Sequence, residues 1–421
     1  MNETVQLNPD APVWAREEAF PEAPQGWGWV DAKNGRHPCD SRESLIAAIR
    51  NDRDGSVNLV WSPDHRRMFL PEELEGAGDA LRAAREVWTR DDEENSAHRM
   101  RWFGLILALS CAYTFFQSWR QSPAGSGEWM AGLKAIFGST SAGLALLMFI
   151  ILAFIPWYQA RKRRKQLGRW SEESLTEVAP TLRFETWLAC QKAPLTRVFL
   201  GLMVAVAVTQ LFAQVRTAGL AAVFSLFHVW EGIAAAGLVK ERYFHGEWWR
   251  LFTAPFLHGN VVHFLMNMAA LLYLGKRLEV FARWPHLVMV FLFSASIGGE
   301  ASARFVSAPT VGASGGLMGW LGFLMVFETL HKGLVPRRAR RRLAAGVALT
   351  ALIGLIGYKY IDNAAHAGGL LAGMIYAVIV FPPSSSPHRP RSTVTDLVAG
   401  GMAMLVLSAS AFFAIARLMA G

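Results

Sequence analysis

The feature that most limits what this chain can become is a series of nine apolar runs, at about 102–119, 140–158, 197–215, 256–275, 286–302, 312–330, 343–358, 364–381 and 396–418. A helix crossing a bilayer needs about 20 mostly apolar residues, and in lipid a chain must satisfy its own backbone hydrogen bonds. The runs therefore predict an all-α polytopic membrane protein. With 52% apolar and only 18% charged residues, the composition fits that class better than several soluble domains. A tenth candidate, 218–235, is interrupted by His228 and Glu231. Lys and Arg gather in cytoplasmic loops, which provides a parity test. With Arg161–Arg169 inside and nine spans, Lys276, Arg277, Arg283, the Arg337–Arg342 cluster and Arg389/Arg391 also fall inside. Counting 218–235 as a span pushes the Arg337–Arg342 cluster outside, so this run is expected to lie in a long external loop at the membrane interface. The net charge of +9 then reflects topology rather than nucleic-acid binding.

Residues 1–100 are polar and are expected to form a small α+β soluble domain on the cytoplasmic side. Strands are predicted at Trp27–Val30 and Val57–Trp61, with a helix over Ser41–Arg50. The expected organisation continues with two extra transmembrane helices in 101–160 and a basic linker with an amphipathic segment (Arg183–Gln191) in 161–195. A six-helix core over 196–381 and a linker plus C-terminal transmembrane helix over 382–421 complete it. No cleavable signal peptide is visible in the polar stretch Met1–Gly26. The expected location is a bacterial inner membrane, with the N-terminus cytoplasmic and the C-terminus external. Cys39, Cys111 and Cys190 have no paired spacing, so neither a disulfide framework nor a zinc site is indicated.

Polar groups within spans are costly and usually functional, and four stand out. His263 and Asn267 share one face of the fourth span, four residues apart; Ser314 opens the sixth span and His366 the eighth. The topology places all four near the outer ends of helices that run in the same direction. Ser314 sits in Gly312-Ala-Ser-Gly315-Gly316, where a bare helix N-terminus presents N–H groups suited to an oxyanion. Gly369 and Gly373 follow His366 at offsets of three and seven, and Gly315, Gly319 and Gly322 line the sixth span. Such stripes let helix backbones approach closely, close enough for a serine to meet a histidine as nucleophile and base. Taken singly, the serine and glycines are ordinary packing residues, and a lone intramembrane histidine serves as readily in packing or a proton pathway. The combination at one depth is what marks a site.

These residues resemble the rhomboid family of intramembrane proteases over roughly 195–381. The resemblance rests on Glu247-Trp-Trp249-Arg250, His258, His263-Phe-Leu-Met-Asn267, Gly312-Ala-Ser-Gly315, and Ala365-His366 with Gly369 and Gly373. It implies a six-helix core, here with one helix added after it and two before. It implies Ser314 as nucleophile and His366 as general base, with His263, Asn267 and the Ser314 N–H forming the oxyanion hole. Trp249 and Arg250 are implied to support the site from the external loop, and Glu279 from the cytoplasmic side. Met318 stands where many members carry an aromatic residue packed on the catalytic histidine, and Ala254 replaces a histidine found in some members. The segment around Trp29, Ser41–Arg50, Leu59-Val60-Trp61 and Leu70–Leu74 also looks like the small GYF-type adaptor fold.

The implied reaction is peptide-bond hydrolysis in or beside a transmembrane segment by a Ser–His dyad. Asp362, one turn before His366, is placed at the outer surface rather than in the catalytic pair. No metal or cofactor is expected; His258 and His263 have no acidic partner nearby. The expected partners are transmembrane substrates and the bilayer, with a protein partner for the N-terminal domain left open. Two alternatives remain at this stage. One is a catalytically silent rhomboid-like chaperone or adaptor that binds transmembrane helices. The other is a solute transporter, although no pair of related halves is visible.

Overall fold

The computed structural model describes residues 11–121, 128–167, 172–219, 230–358 and 361–420. His228 and Lys359, and the expected loop segment 220–229, lie outside the described residues. The chain divides into two compact units, Trp14–Trp187 with Ala351–Tyr360 in one, and Leu188–Thr350 with Ile361–Gly421 making up most of the other.

The first unit begins with a three-stranded antiparallel sheet, β1 (Trp27–Asp31), β2 (Arg36–Cys39) and β3 (Val57–Trp61), in the order β2-β1-β3. Helix α1 (Arg42–Arg50) starts where Ser41 caps it, its hydroxyl accepting from Ser44 N at 3.2 Å. Leu45 and Ile49, one turn apart on α1, are buried with Val60, Phe69, Leu74, Ala77, Ala80 and Leu81. Ala80 and Leu81 belong to α2 (Gly78–Gln121), a helix of 44 residues and about 66 Å. Its first turns complete this small core, while its far end exposes Trp102, Leu105, Ile106, Leu109, Tyr113 and Phe116. The sheet-bearing part and the first apolar run are thus joined by one uninterrupted helix. Helix α3 (Glu128–Gly138) follows. The chain then returns along α2 through α4 (Thr140–Phe149), a π-helical stretch (Ile150–Phe154) and α5 (Ile155–Leu167). Ion pairs of Arg163 with Asp92 (2.6 Å) and Arg164 with Glu93 (2.8 Å) fix the antiparallel register at the charged end. The expected amphipathic helix is longer than Arg183–Gln191: α6 covers Glu172–Cys190. Arg183 anchors it, bonding both Glu73 oxygens at 2.8 Å and accepted by the Trp14 and Arg16 carbonyls.

The second unit starts with α7 (Pro194–Ala218), which has Pro at its first position, where no N–H is needed. Three short helices, Trp230–Ala236, Lys240–Phe244 and Arg250–Thr253, lead to a 45-residue helical element, Val261–Phe305. That element is broken at Arg283 (φ 74, ψ 163), just before Trp284-Pro285, so it is two helices, 261–282 and 284–305. Each is about 33 Å long, enough to cross a bilayer. The Ser314 helix (Ser314–Leu330), the helix Arg337–Ile356 as far as Thr350, the His366 helix (Asn363–Val380) and the C-terminal helix (Val394–Ala420) complete the unit.

Five described helices are long and apolar enough to cross a membrane, the kinked pair counting as one of them. The chain is accordingly an integral, multi-pass membrane protein of mostly helical fold. The expected spans at 102–119 and 343–358 are helical but fall outside these five, being less apolar. The Ser314 helix is shorter and enclosed, with Gly315 to Leu324, Phe327 and Glu328 all buried. An apolar helix buried on every side is a core element, and this one is the hub. Its glycines admit its neighbours: a Cβ at Gly316 would strike the Phe291 ring at 2.5 Å, and one at Gly319 the Ser294 side chain.

Candidate functional site

Three helix N-termini converge at one end of the second unit. The helix 261–282 starts at the Asn260 cap, whose side chain accepts from His263 N at 2.8 Å. The Ser314 helix starts after Ala313, and the His366 helix starts at Asp362, whose Oδ1 accepts from Ala365 N at 2.9 Å. Two close crossings hold the last pair together. A Cβ built on Gly369 would run into the Gly315 carbonyl, and one on Gly373 into the Gly319 carbonyl. From the other flank, a Cβ on Gly298 would come within 2.6 Å of Ala365 O. With no side chains at these crossings, the backbones touch, and the first turns bearing Ser314 and His366 sit side by side.

Gly312 lies in the left-handed region (φ 120), and a Cβ there would lie 2.6 Å from His263 Cε1, 2.9 Å from His263 Nε2 and 3.5 Å from Asn267 Nδ2. Both the backbone angle and the space require glycine. Its N–H donates to the Ala254 carbonyl at 3.0 Å, which pins the turn before Ser314 to the loop. Asn267 is buried, 6% exposed, and among the described residues its Nδ2 has no hydrogen-bond partner. A buried donor left unpaired calls for an explanation, and this one points at the turn that presents Ser314. The first N–H groups of the Ser314 helix are unpaired by helix geometry and add partial positive charge at the same place.

Ser314 also lines a small cavity with Leu238, Leu251, Val311 and Ala365. Its volume of about 20 Å³ is room for a water molecule. Ser314 and His366 are both half-buried. Their side chains make no hydrogen bond to each other here, nor to other described residues; hydrolases without substrate often keep this contact loose.

The remaining residues singled out above act at the edges. Arg250 is fully buried, donating to Gly237 O at 2.7 Å and Ala234 O at 3.1 Å, with Glu247 on its Nε. It stacks over Trp249 at 4.6 Å, and Trp249 meets Phe413 of the C-terminal helix edge-on at 5.0 Å. Together they tie the loop to itself and to the C-terminal helix. At the opposite end, Glu279 caps α7, accepting from Leu195 N, Thr196 N and Thr196 Oγ1 at 2.8–3.0 Å. Met318 is buried one turn after Ser314. Among the described residues no group of three or more His, Cys, Asp or Glu side chains is arranged to hold a metal.

Sequence reasoning passed over a polar cluster beside the site: Lys240, Ser302 and Thr310, meeting at Asp362. Only the spacing is visible in the sequence, Thr310 preceding Ser314 by the same four residues that separate Asp362 from His366, and it gains meaning once the fold joins Thr310 to Asp362.

A bundle of apolar helices that gathers Ser314, His366, His263 and Asn267 at one end is the class this fold defines. A family model for the Rhomboid domain matches residues 245–383, and the chain carries a rhomboid domain over that stretch. It is 31% identical over 156 residues to RHOMBOID-like protein 4 of Arabidopsis thaliana, covering 34% of this chain and 40% of that protein. Rhomboid protease GluP of Bacillus subtilis is 31% identical over 150 residues, covering 35% of this chain and 29% of GluP. Inactive rhomboid protein 2 of Homo sapiens is 32% identical over 171 residues, covering 38% of this chain and 20% of that protein. The chain thus spans less than half the length of these relatives.

Proposed function

We propose that this protein is an intramembrane serine protease that hydrolyses peptide bonds in or near transmembrane segments of membrane proteins. The observation that carries the proposal is the unpaired Asn267 amide, buried beside Gly312 and the His263 ring, next to the free N–H groups at Ser314. A preorganised set of donors around a serine is what an oxyanion requires, and it has no value to a merely structural bundle.

Neutral His366 takes the proton from Ser314 as Oγ attacks the scissile carbonyl. Asn267, His263 and the Ser314 N–H hold the oxyanion. The imidazolium then protonates the departing amine, leaving an acyl-enzyme that water hydrolyses with His366 again as base. The site opens to the external side, because basic groups mark the opposite ends of the three helices: Lys276 in the last turns of 261–282, and Arg337–Arg342 and Arg389 after the other two. The N-terminus is then cytoplasmic. Substrates are transmembrane proteins that reach the site from the bilayer.

A silent adaptor is the second reading, favoured by the likeness to an inactive rhomboid protein and by the open Ser314–His366 pair. A fluorophosphonate probe separates the two. Labelling of the wild type that disappears in Ser314→Ala supports the protease, and failure to label the folded wild type supports the adaptor.

A further inference from the structure

Next to the site lies a polar cluster drawn from four separate segments, with Lys240 and Ser302 buried and Thr310 and Asp362 half-buried. Lys240, only 8% exposed in the external loop, donates from Nζ to Ser302 Oγ at 2.8 Å and also to Thr310 Oγ1. Ser302 comes from the outer end of helix 284–305, and Thr310 from the turn leading to Ser314. Both hydroxyls then donate to the same carboxylate oxygen of Asp362, Thr310 at 2.6 Å. The other oxygen, Oδ1, caps the His366 helix through Ala365 N at 2.9 Å. The ammonium donates to both hydroxyls and both hydroxyls donate to one carboxylate oxygen, which leaves the two hydroxyl oxygens side by side at 2.8 Å with no proton between them. Loop backbone reinforces the link, as Leu238 and Thr310 exchange hydrogen bonds of 2.9 and 3.1 Å.

Geometry gives this cluster a specific leverage. Thr310 stands four residues before Ser314 and Asp362 four residues before His366, so the Thr310–Asp362 bond joins the two approaches to the reacting pair. Gly369 and Gly315 fix how close the helices come. They leave open rotation and sliding at the helix ends, and that freedom is what a bond across the ends removes. The charged group acting on Lys240 is Asp362, while Ser302 and Thr310, which face it from the other two segments, are uncharged. Lys240 reaches Asp362 through the two hydroxyls rather than directly, and a buried charge held this way contributes little net stability while fixing where its partners stand.

We infer that Lys240, Ser302, Thr310 and Asp362 form a positioning device that sets the Ser314 and His366 side chains in register, with the lysine of the external loop as its charged key. The inference rests on the protease proposal above. Burial, opposed by the attraction of Asp362, brings the Lys240 ammonium down to about 8, so the key is charged at neutral pH and lost in mildly alkaline solution.

The test uses the full chain in proteoliposomes. The fluorophosphonate labelling rate, and kcat and KM for a model transmembrane substrate, are measured from pH 6 to 10 for wild type, Lys240→Met, Thr310→Val and Thr310→Ser. The expected outcome is a wild-type rate that falls through about pH 8, and an alkaline limb missing from Lys240→Met. Lys240→Met and Thr310→Val should lower kcat and labelling at least ten-fold with KM changed less than two-fold. Thr310→Ser, which keeps the hydroxyl, should recover most of that loss. Wild-type rates in folded Lys240→Met and Thr310→Val, or equal loss in Thr310→Val and Thr310→Ser, overturn the positioning role while leaving the protease intact. A wild type that neither labels nor cleaves overturns both.

Discussion

Gly369 sits against Gly315 with no room for a side chain, its missing Cβ pointing into the Gly315 carbonyl oxygen. His366 lies three residues before the one glycine and Ser314 immediately before the other. The crossing therefore brings a nucleophile and a base on different helices to the same end of the bundle.

Gly369→Ala and Gly373→Ala should each force the two helices apart. Overpacking of this kind costs about 1–3 kcal/mol, and misplacing the reacting groups by 1 Å costs on the order of 100-fold in rate. The expected result is a modest drop in thermal unfolding temperature with a much larger loss of cleavage. Gly401→Ala, inside the C-terminal helix where nothing lies within 4 Å, should leave cleavage unchanged and raise the unfolding temperature slightly, since Ala is favoured over Gly inside a helix by about 0.5–1 kcal/mol.

Asn267→Ala removes a donor already unpaired in the resting protein, so stability should hold or rise slightly while catalysis falls. The expected loss is about 10²–10³-fold in kcat, read with a substrate cleaved by the wild type. An unchanged kcat would remove Asn267 from the oxyanion hole.

The fold's nine apolar runs each became helix, but their ends moved for a physical reason. Hydropathy ends the fourth run at 275 because Lys276, Arg277 and Glu279 follow, yet the helix continues to 282. Arg277 is fully buried, paired with buried Glu328 at 3.0 Å, and Glu279 is used as a cap. Charges that find partners inside the protein do not end a helix, and single-sequence hydropathy cannot see the partner. The break comes instead at Arg283, whose φ of 74 precedes Trp284-Pro285, a position no periodicity marks. Ser314, His366, His263 and Asn267 were legible because they are polar where lipid is expected. Lys240, Ser302 and Thr310 were not, since a loop lysine and two hydroxyls look solvated until the fold buries them together. Likewise, the boundary expected near residue 100 falls inside α2. Strands β1 and β3 and helix α1 stand where two strands and a helix are expected, an agreement in elements that does not extend to a GYF-type fold, and a protein partner for this part is a proposal.

The Arg277–Glu328 pair should be costly to break and cheap to replace. Arg277→Met alone leaves a buried carboxylate and is expected to cost about 3–5 kcal/mol, whereas the double variant Arg277→Met/Glu328→Leu should approach wild-type stability. Unfolding midpoints of the three proteins check this. A double variant as unstable as the single would contradict it.

Stability and activity should separate in alkaline solution. The Lys240 ammonium is held at about 8 in the folded protein, against an ordinary lysine value of 10.5. Between those values the unfolded chain binds more protons, so this group's contribution to stability rises with pH across the window and is lost as pH falls through about 8. Unfolding temperature measured at pH 7.5 and 9.5 should therefore include a stabilising increment in wild type that Lys240→Met lacks, while cleavage by the wild type declines.

The central claim is tested most directly by the initial rate at which purified protein in proteoliposomes cleaves a model transmembrane substrate, compared among wild type, Ser314→Ala and His366→Ala. The account predicts cleavage by the wild type within the substrate's membrane region and rates at background for both variants, with all three proteins equally folded. Cleavage by either variant at the wild-type rate would contradict it.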